Sequence, residues 1–189
     1  MTSPQTLTEA DRRIVAMWAA DCAERVLGIF EAEAPGDLRP RAAIARTRAF
    51  ARGELGVAGE IRRRFANGGA AREVSTPSAV AAARAAGQAA SVCHMGAHAL
   101  GAAAYAAKAA GLAAADGPAA VGEEIGWQLG HMAPEVRAAL QQLPPVGENR
   151  SGPLGPGLLA SGVLGDVVRE LQRSVAAPRV VTYRSLPGG

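Results

Sequence analysis

At 189 residues the chain has the length of one ordinary domain, enough for a hydrophobic core of its own. Hydrophobic residues make up 49% of it but aromatics only 4%, and much of the remainder is alanine, so the core has to come from closely approaching backbones. Alanine has the highest helix propensity, and the β-branched and aromatic residues that suit a pleated sheet are sparse, which argues against a sheet protein.

The formal charge is +3 and the pI about 9.4, carried almost wholly by arginine, since Lys108 is the single lysine. Cys22 and Cys93 fall inside helical patterns without CxxC or Cys/His metal spacing, which excludes a disulfide framework and fits thiols in a reducing compartment. Met1 to Asp11 has no basic region followed by an apolar run, and no stretch of roughly eighteen strongly apolar residues occurs, so a cytoplasmic protein without a membrane span is expected.

In chain order, Thr8 caps a first helix whose stripe of Ile14, Val15, Trp18, Cys22, Val26 and Ile29 runs to about Ala32. Pro35-Gly36-Asp37 breaks it, and Asp37 caps a second helix over Arg39–Arg52. A third is predicted over Val57–Glu73, loosened at Asn67-Gly68-Gly69. Thr76-Pro77 starts an alanine-rich fourth helix that continues to about Leu112, with a bend at Gly87. Asp116-Gly117-Pro118 opens a fifth to about Gly130, and Ala133-Pro134 a sixth that ends before Pro144-Pro145. Pro144–Gly157 reads as a linker, Leu158–Val175 as an amphipathic helix, and Val180–Gly189 as a short strand or a disordered tail. No Walker loop, GxSxG elbow, HExxH or calcium loop is present.

Helical spacing puts His94, His98 and Tyr105 on one stripe with Gly87, Ser91 and Gly101, small residues that let a neighbouring helix come close. On the first helix Asp21 and Arg25 stand four apart beside Trp18 and Cys22, and on the fifth Glu124, Trp127, Gln128 and His131 share a face. Three helices thus offer polar groups that can converge.

Four readings fit this seam. In the structural one, His94 and His98 are satisfied core histidines, Asp21 and Arg25 an ion pair, and Trp18 and Trp127 core aromatics. In the binding one, Arg25 and Arg41 hold a carboxylate or phosphate, with Trp18 as an apolar wall and Glu24, Glu124, Trp127 and Gln128 alongside. A metal reading uses His94 and His98 with Asp21, Glu24 or Glu124, but two ligands on one face are a weak signal, and neither a metal nor a cofactor is assigned. The catalytic one makes His94 or His98 a general base oriented by Asp21 or Glu124, with Tyr105 as proton donor. A buried Cys22 is inert. Arg46, Arg48, Arg52, Arg62, Arg63 and Arg64 suggest nucleic acid, but they lack stacking aromatics and a binding motif, so a solvated or partner-facing surface is expected instead.

The run Trp18-Ala-Ala-Asp-Cys-Ala-Glu-Arg-Val-Leu27, then Phe30-Glu31, Arg39-Pro-Arg41 and Ala51-Arg-Gly-Glu54, resembles the Imm-5-like immunity protein family of bacteria. The later run Ala85-Ala-Gly-Gln-Ala-Ala-Ser-Val-Cys-His-Met-Gly-Ala-His98, continuing through Leu100 to Ala107, is similar to the same family's central helix, and the resemblance spans about Thr8 to Leu140. It implies a helical cytoplasmic protein that binds and neutralises a toxin, and it brings no family catalytic residues with it. Trp18, Asp21, Cys22, Glu24, Arg25, Arg41, Glu54, His94, His98 and Tyr105 coincide with its motifs. Asn67-Gly68-Gly69 departs from the family's helical pattern, and the part after Pro144 lies outside it.

The expectation is an all-α bundle of six or seven helices: a helical domain over 1–143, a linker over 144–157, and a C-terminal helix and tail over 158–189 that docks back or pairs with a second copy. Immunity or self-resistance by binding a toxin or small molecule leads. The alternative is an enzyme of proton transfer, cyclisation or hydrolysis in a specialised biosynthetic pathway.

Overall fold

Helices start where short polar side chains can reach back to the chain. In the computed structural model, which describes residues 3–63 and 69–177, Thr8 accepts from Asp11 N at 3.1 Å and opens α1 (Glu9–Arg25). The first helix does not run on to Ala32. It turns at Val26, where ψ is 2°, and α2 (Leu27–Glu33) follows at once, which lets Val26, Leu27 and Phe30 all reach the core while α2 packs on α5 (Pro77–Ser91).

Asp37 accepts from Arg39 N at 3.0 Å at the start of α3 (Arg39–Ala51). Then α4 (Val57–Arg63) begins where the third helix was expected, and a 3-10 turn over Ala70–Arg72 stands where its last turn was expected. Asn67-Gly68 and the tail from Val180 lie outside the described residues. Thr76 caps α5 through Ala79 N at 3.4 Å. The order continues with α6 (His98–Ala113), α7 (Gly117–Gly130), which Asp116 caps through Ala119 N at 3.1 Å, and α8 (Pro134–Leu140). A 3-10 turn at Leu158–Ala160 leads into α9 (Gly162–Ala176). Among the described residues there is no strand, and the protein is all-α.

The largest departure from expectation is that the predicted long helix from Pro77 to Leu112 is two helices, α5 and α6, folded back on each other. The pairing is antiparallel, with Arg84 over Tyr105 and Gln88 against both His98 and Gly101. The turn comes from a distant part of the chain: Gly96 N donates to Thr6 O at 2.9 Å and Ala97 N to Gln5 O at 3.0 Å, instead of bonding back along their own helix. A side chain at Gly96 would put its Cβ 2.4 Å from Leu7 Cδ1, so only glycine permits this approach.

Helix α6 is the axis of the bundle, packed by α1, α5, α7 and α9 and buried at every residue from Ala99 to Ala107. A helix enclosed on all sides needs small side chains all round, which its alanines and Gly101 supply. The amphipathic α9 lays Leu164, Val167, Val168, Leu171 and Val175 on the bundle. Its last carbonyls accept from Arg137 Nη1 (Val175 O, 3.1 Å) and Gln141 Nε2 (Val175 O, 2.9 Å). The proline- and glycine-rich stretch ahead of it is packed as well. Leu154 is fully buried, and the buried Gln5 amide threads the loop, donating to Asn149 O at 2.7 Å and accepting from Leu154 N at 2.9 Å. Among the described residues no helix is long and apolar enough to cross a membrane.

Candidate functional site

Helix α1 touches α3 on one side and meets α7 through side chains on the other, and its polar residues divide between these neighbours. Asp21 and Arg25 do not pair along the helix as their spacing suggested. An exposed pair four residues apart contributes only a few tenths of a kcal/mol, and both groups have partners across helix boundaries instead. Asp21 and Glu24 turn to α3, where Arg48 Nη2 donates to both carboxylates at 2.6 Å. The Arg48 hydrogen bond lowers the Glu24 pKa below the usual glutamate range, and the same bond raises that of Arg48.

Towards α7 the contacts form a ladder that runs from the core to the surface. Trp18 Nε1 donates to Gln128 O at 2.9 Å, and Gln128 Nε2 donates to Ala103 O of α6 and to Glu124 Oε1, both at 3.1 Å. Glu124, 3% exposed, accepts at Oε2 from Arg25 Nε at 2.9 Å. The Arg25 guanidinium in turn lies 4.2 Å from the Trp127 ring centroid, and Trp127 stacks on His131 at 4.0 Å. Cys22 is sealed beside this ladder. Burial first, then the nearby charges of Glu124 and Asp21, push its thiol well above the ordinary range, so it is held protonated and unreactive. Gln128 Oε1 is buried with no hydrogen-bond partner among the described residues.

The arginines of α3, and Arg52 at its C-cap, are closed on acids. Arg39 pairs with Asp37 at 2.5 Å, Arg41 with Glu31 at 2.7 Å, Arg52 with Glu54 at 2.5 Å, and Arg46 with Glu60. Cations satisfied in this way are not an open phosphate-binding stripe. The side chains of Arg62, Arg63 and Arg64 lie outside the described residues.

The histidines stand elsewhere. His94 belongs to the turn between α5 and α6, and His98 to the first turn of α6, so the bend removes His94 from the helical stripe expected for it. Their rings are 6.5 Å apart and tilted by 38°, and His98 Nδ1 pairs with Gln88 Oε1 at 2.8 Å. Tyr105 is buried seven positions further along α6, about 10 Å along its axis, with Arg84 5.8 Å from its ring centroid. The four candidate catalytic groups therefore fall into three places: Asp21 with Arg48, the two histidines at the hairpin turn, and Tyr105 with Arg84. The seven candidate ligand-binding residues are distributed too. Trp18, Arg25, Glu124, Trp127 and Gln128 form one connected ladder, whereas Glu24 belongs with Arg48 and Arg41 with Glu31. No group of three His, Cys, Asp or Glu that could hold a metal ion occurs among the described residues. Arg48, absent from the sequence-derived site, turns out to be its main cross-link, because nothing in the spacing of α3 distinguishes it from its surface neighbours.

The described residues thus form an alanine-packed helical bundle whose first helix is tied to α3 and to α7 by arginine–carboxylate pairs. Over residues 5–135 the chain matches the family described as Imm-5 like putative immunity protein, and it belongs to that family. No curated protein and no solved structure matches it.

Proposed function

We propose that this protein is a cytoplasmic immunity protein that protects by binding a toxin rather than by chemistry. The observation that carries the reading is the ladder Trp18–Gln128–Glu124–Arg25–Trp127. Its inner rungs are buried and mutually hydrogen-bonded, and its outer rung is a half-exposed cation–π stack, Arg25 with a side-chain exposure of 39%. Rigid tryptophan and arginine side chains held in place before contact are the residue types that anchor protein interfaces, because little side-chain entropy is lost on docking. Membership of the immunity-protein family supports the same reading.

An enzyme of proton transfer, cyclisation or hydrolysis requires a base, its orienting acid and a proton donor around one space. Asp21, His98 and Tyr105 stand in separate clusters and give that alternative no support. The test is growth rescue. The chain is co-expressed in a sensitive bacterial host with each toxin-like gene that lies beside its own. Survival with one of them, and co-purification of the pair, is the expected result. Equal killing with and without the chain for every such gene overturns the reading.

A further inference from the structure

The geometry points to Arg25 as an unfilled carboxylate clamp: its outward Nη1/Nη2 edge receives an aspartate or glutamate side chain of the partner protein, beside Trp127 and the exposed glycine edge of α7. The inference rests on the binding role proposed above and names the chemistry of that contact.

Four arginines of this chain, Arg39, Arg41, Arg46 and Arg52, close on a carboxylate side-on, through Nε and Nη2 together. Arg25 differs. It donates to Glu124 Oε2 through Nε alone, and among the described residues neither Nη1 nor Nη2 has an acceptor. The guanidinium is fixed from two directions, by the buried carboxylate behind it and by the indole 4.2 Å away, so its terminal donors are aimed without a rotamer search. A planar pair of N–H groups presented in this way matches the two oxygens of a carboxylate. Arg48 shows within the same molecule that one guanidinium can hold two carboxylates, its Nη2 donating to both Asp21 and Glu24. Arg25 has one carboxylate, and its side chain is 39% exposed.

The surroundings select a protein segment over a free ion. Gly126 and Gly130 flank Trp127 in sequence on the solvent side of α7, and a Cβ added at either would meet nothing within 4 Å. A partner backbone can therefore lie against this helix edge while its acid reaches Arg25, whereas a free carboxylate has no use for that space.

The test is an NMR titration of the full chain, following the Trp127 indole N–H and Arg25 Nε–H signals. The probes are a blocked glutamate-rich decapeptide, its glutamine counterpart, and acetate. The glutamate peptide is expected to shift both signals saturably and the glutamine peptide to leave them in place. Arg25→Lys, which keeps the charge but loses the planar fork and the stack, should weaken binding at least about tenfold, the worth of a charge-assisted hydrogen bond. Because Arg25→Gln alone strands the Glu124 carboxylate, the double variant R25Q/E124Q serves as the neutral control and should not bind. Gly130→Leu should weaken the peptide and leave the acetate response unchanged. Unaltered peptide affinity in R25K or R25Q/E124Q overturns the clamp. An acetate response with no peptide response assigns the site to a small free carboxylate and overturns the protein-segment part. Peptide binding through Arg25 without toxin rescue would leave the clamp standing and remove the immunity reading. A toxin complex indifferent to R25K would do the reverse.

Discussion

The Trp18 indole N–H donates to the Gln128 carbonyl across 2.9 Å and ties α1 to the last turn of α7, with both residues buried. That carbonyl is one of those a helix cannot satisfy by itself at its C-terminal end, so the indole supplies what the α7 backbone lacks. Trp18→Phe keeps most of the packing and deletes the donor. The expected cost is about 1–3 kcal/mol, the penalty of a buried acceptor left without a partner. Chemical denaturation should show it as a lower midpoint at unchanged slope.

Glu124 links the core to the surface, accepting from Gln128 Nε2 on one oxygen and Arg25 Nε on the other. Glu124→Ala removes both acceptors and should cost roughly 2–4 kcal/mol, below the full penalty for a broken buried pair because Arg25 is partly solvated. Glu124→Gln keeps the shape and an acceptor and should cost less. Equal midpoints for the two variants would mean that the carboxylate holds nothing together.

Acid should loosen the junction between α2 and α5. Glu33 accepts from Ser75 N and from the Thr76 hydroxyl, and these bonds, the Ser75 N–H foremost, lower its pKa from 4.5 to about 2. A carboxyl depressed in the folded state contributes stability above its unfolded pKa, and loses it as pH falls through the folded one. Glu33→Gln should therefore lower Tm most above pH 4.5, with the difference from the parent shrinking as pH approaches 2. A difference that is constant across this window would contradict the assignment.

Glycines on α7 and α9 should respond oppositely to alanine. At Gly122 and Gly126 a new Cβ meets nothing within 4 Å, so each change should stabilise by up to about 1 kcal/mol through helix propensity. At Gly165 the Cβ would stand 2.4 Å from Ala160 O, a backbone atom with little freedom to move, so Gly165→Ala should lower Tm. Thermal melts of the single variants decide the signs.

Local chemistry was legible where it decided the outcome. Thr8, Thr76 and Asp116 cap helices as their spacing indicates, and the alanine content correctly implied close-packed helices. The bend between α5 and α6 was not legible, because Val92 to Ala97 contains no proline and the hydrogen bonds that turn it come from Gln5 and Thr6 at the far end of the sequence. That one non-local event separates His94 from the stripe read along a single helix. On α1 the spacing singled out polar residues that reach across helix boundaries, but not their partners. Asp21 and Arg25 are neighbours on the helix surface, yet they are claimed by Arg48 and Glu124, and partner choice depends on how three helices are arranged in space. The α7 face of Glu124, Trp127, Gln128 and His131 was readable because the first three sit on one continuous helix and His131 is its C-cap.

Native mass spectrometry of this protein mixed with any toxin whose killing it suppresses on co-expression tests neutralisation by binding most directly. The account predicts a complex whose mass is the sum of the two chains, with the toxin released at its original mass on denaturation. A protected cell whose toxin never forms that complex, or whose toxin comes back with an altered mass, would contradict it.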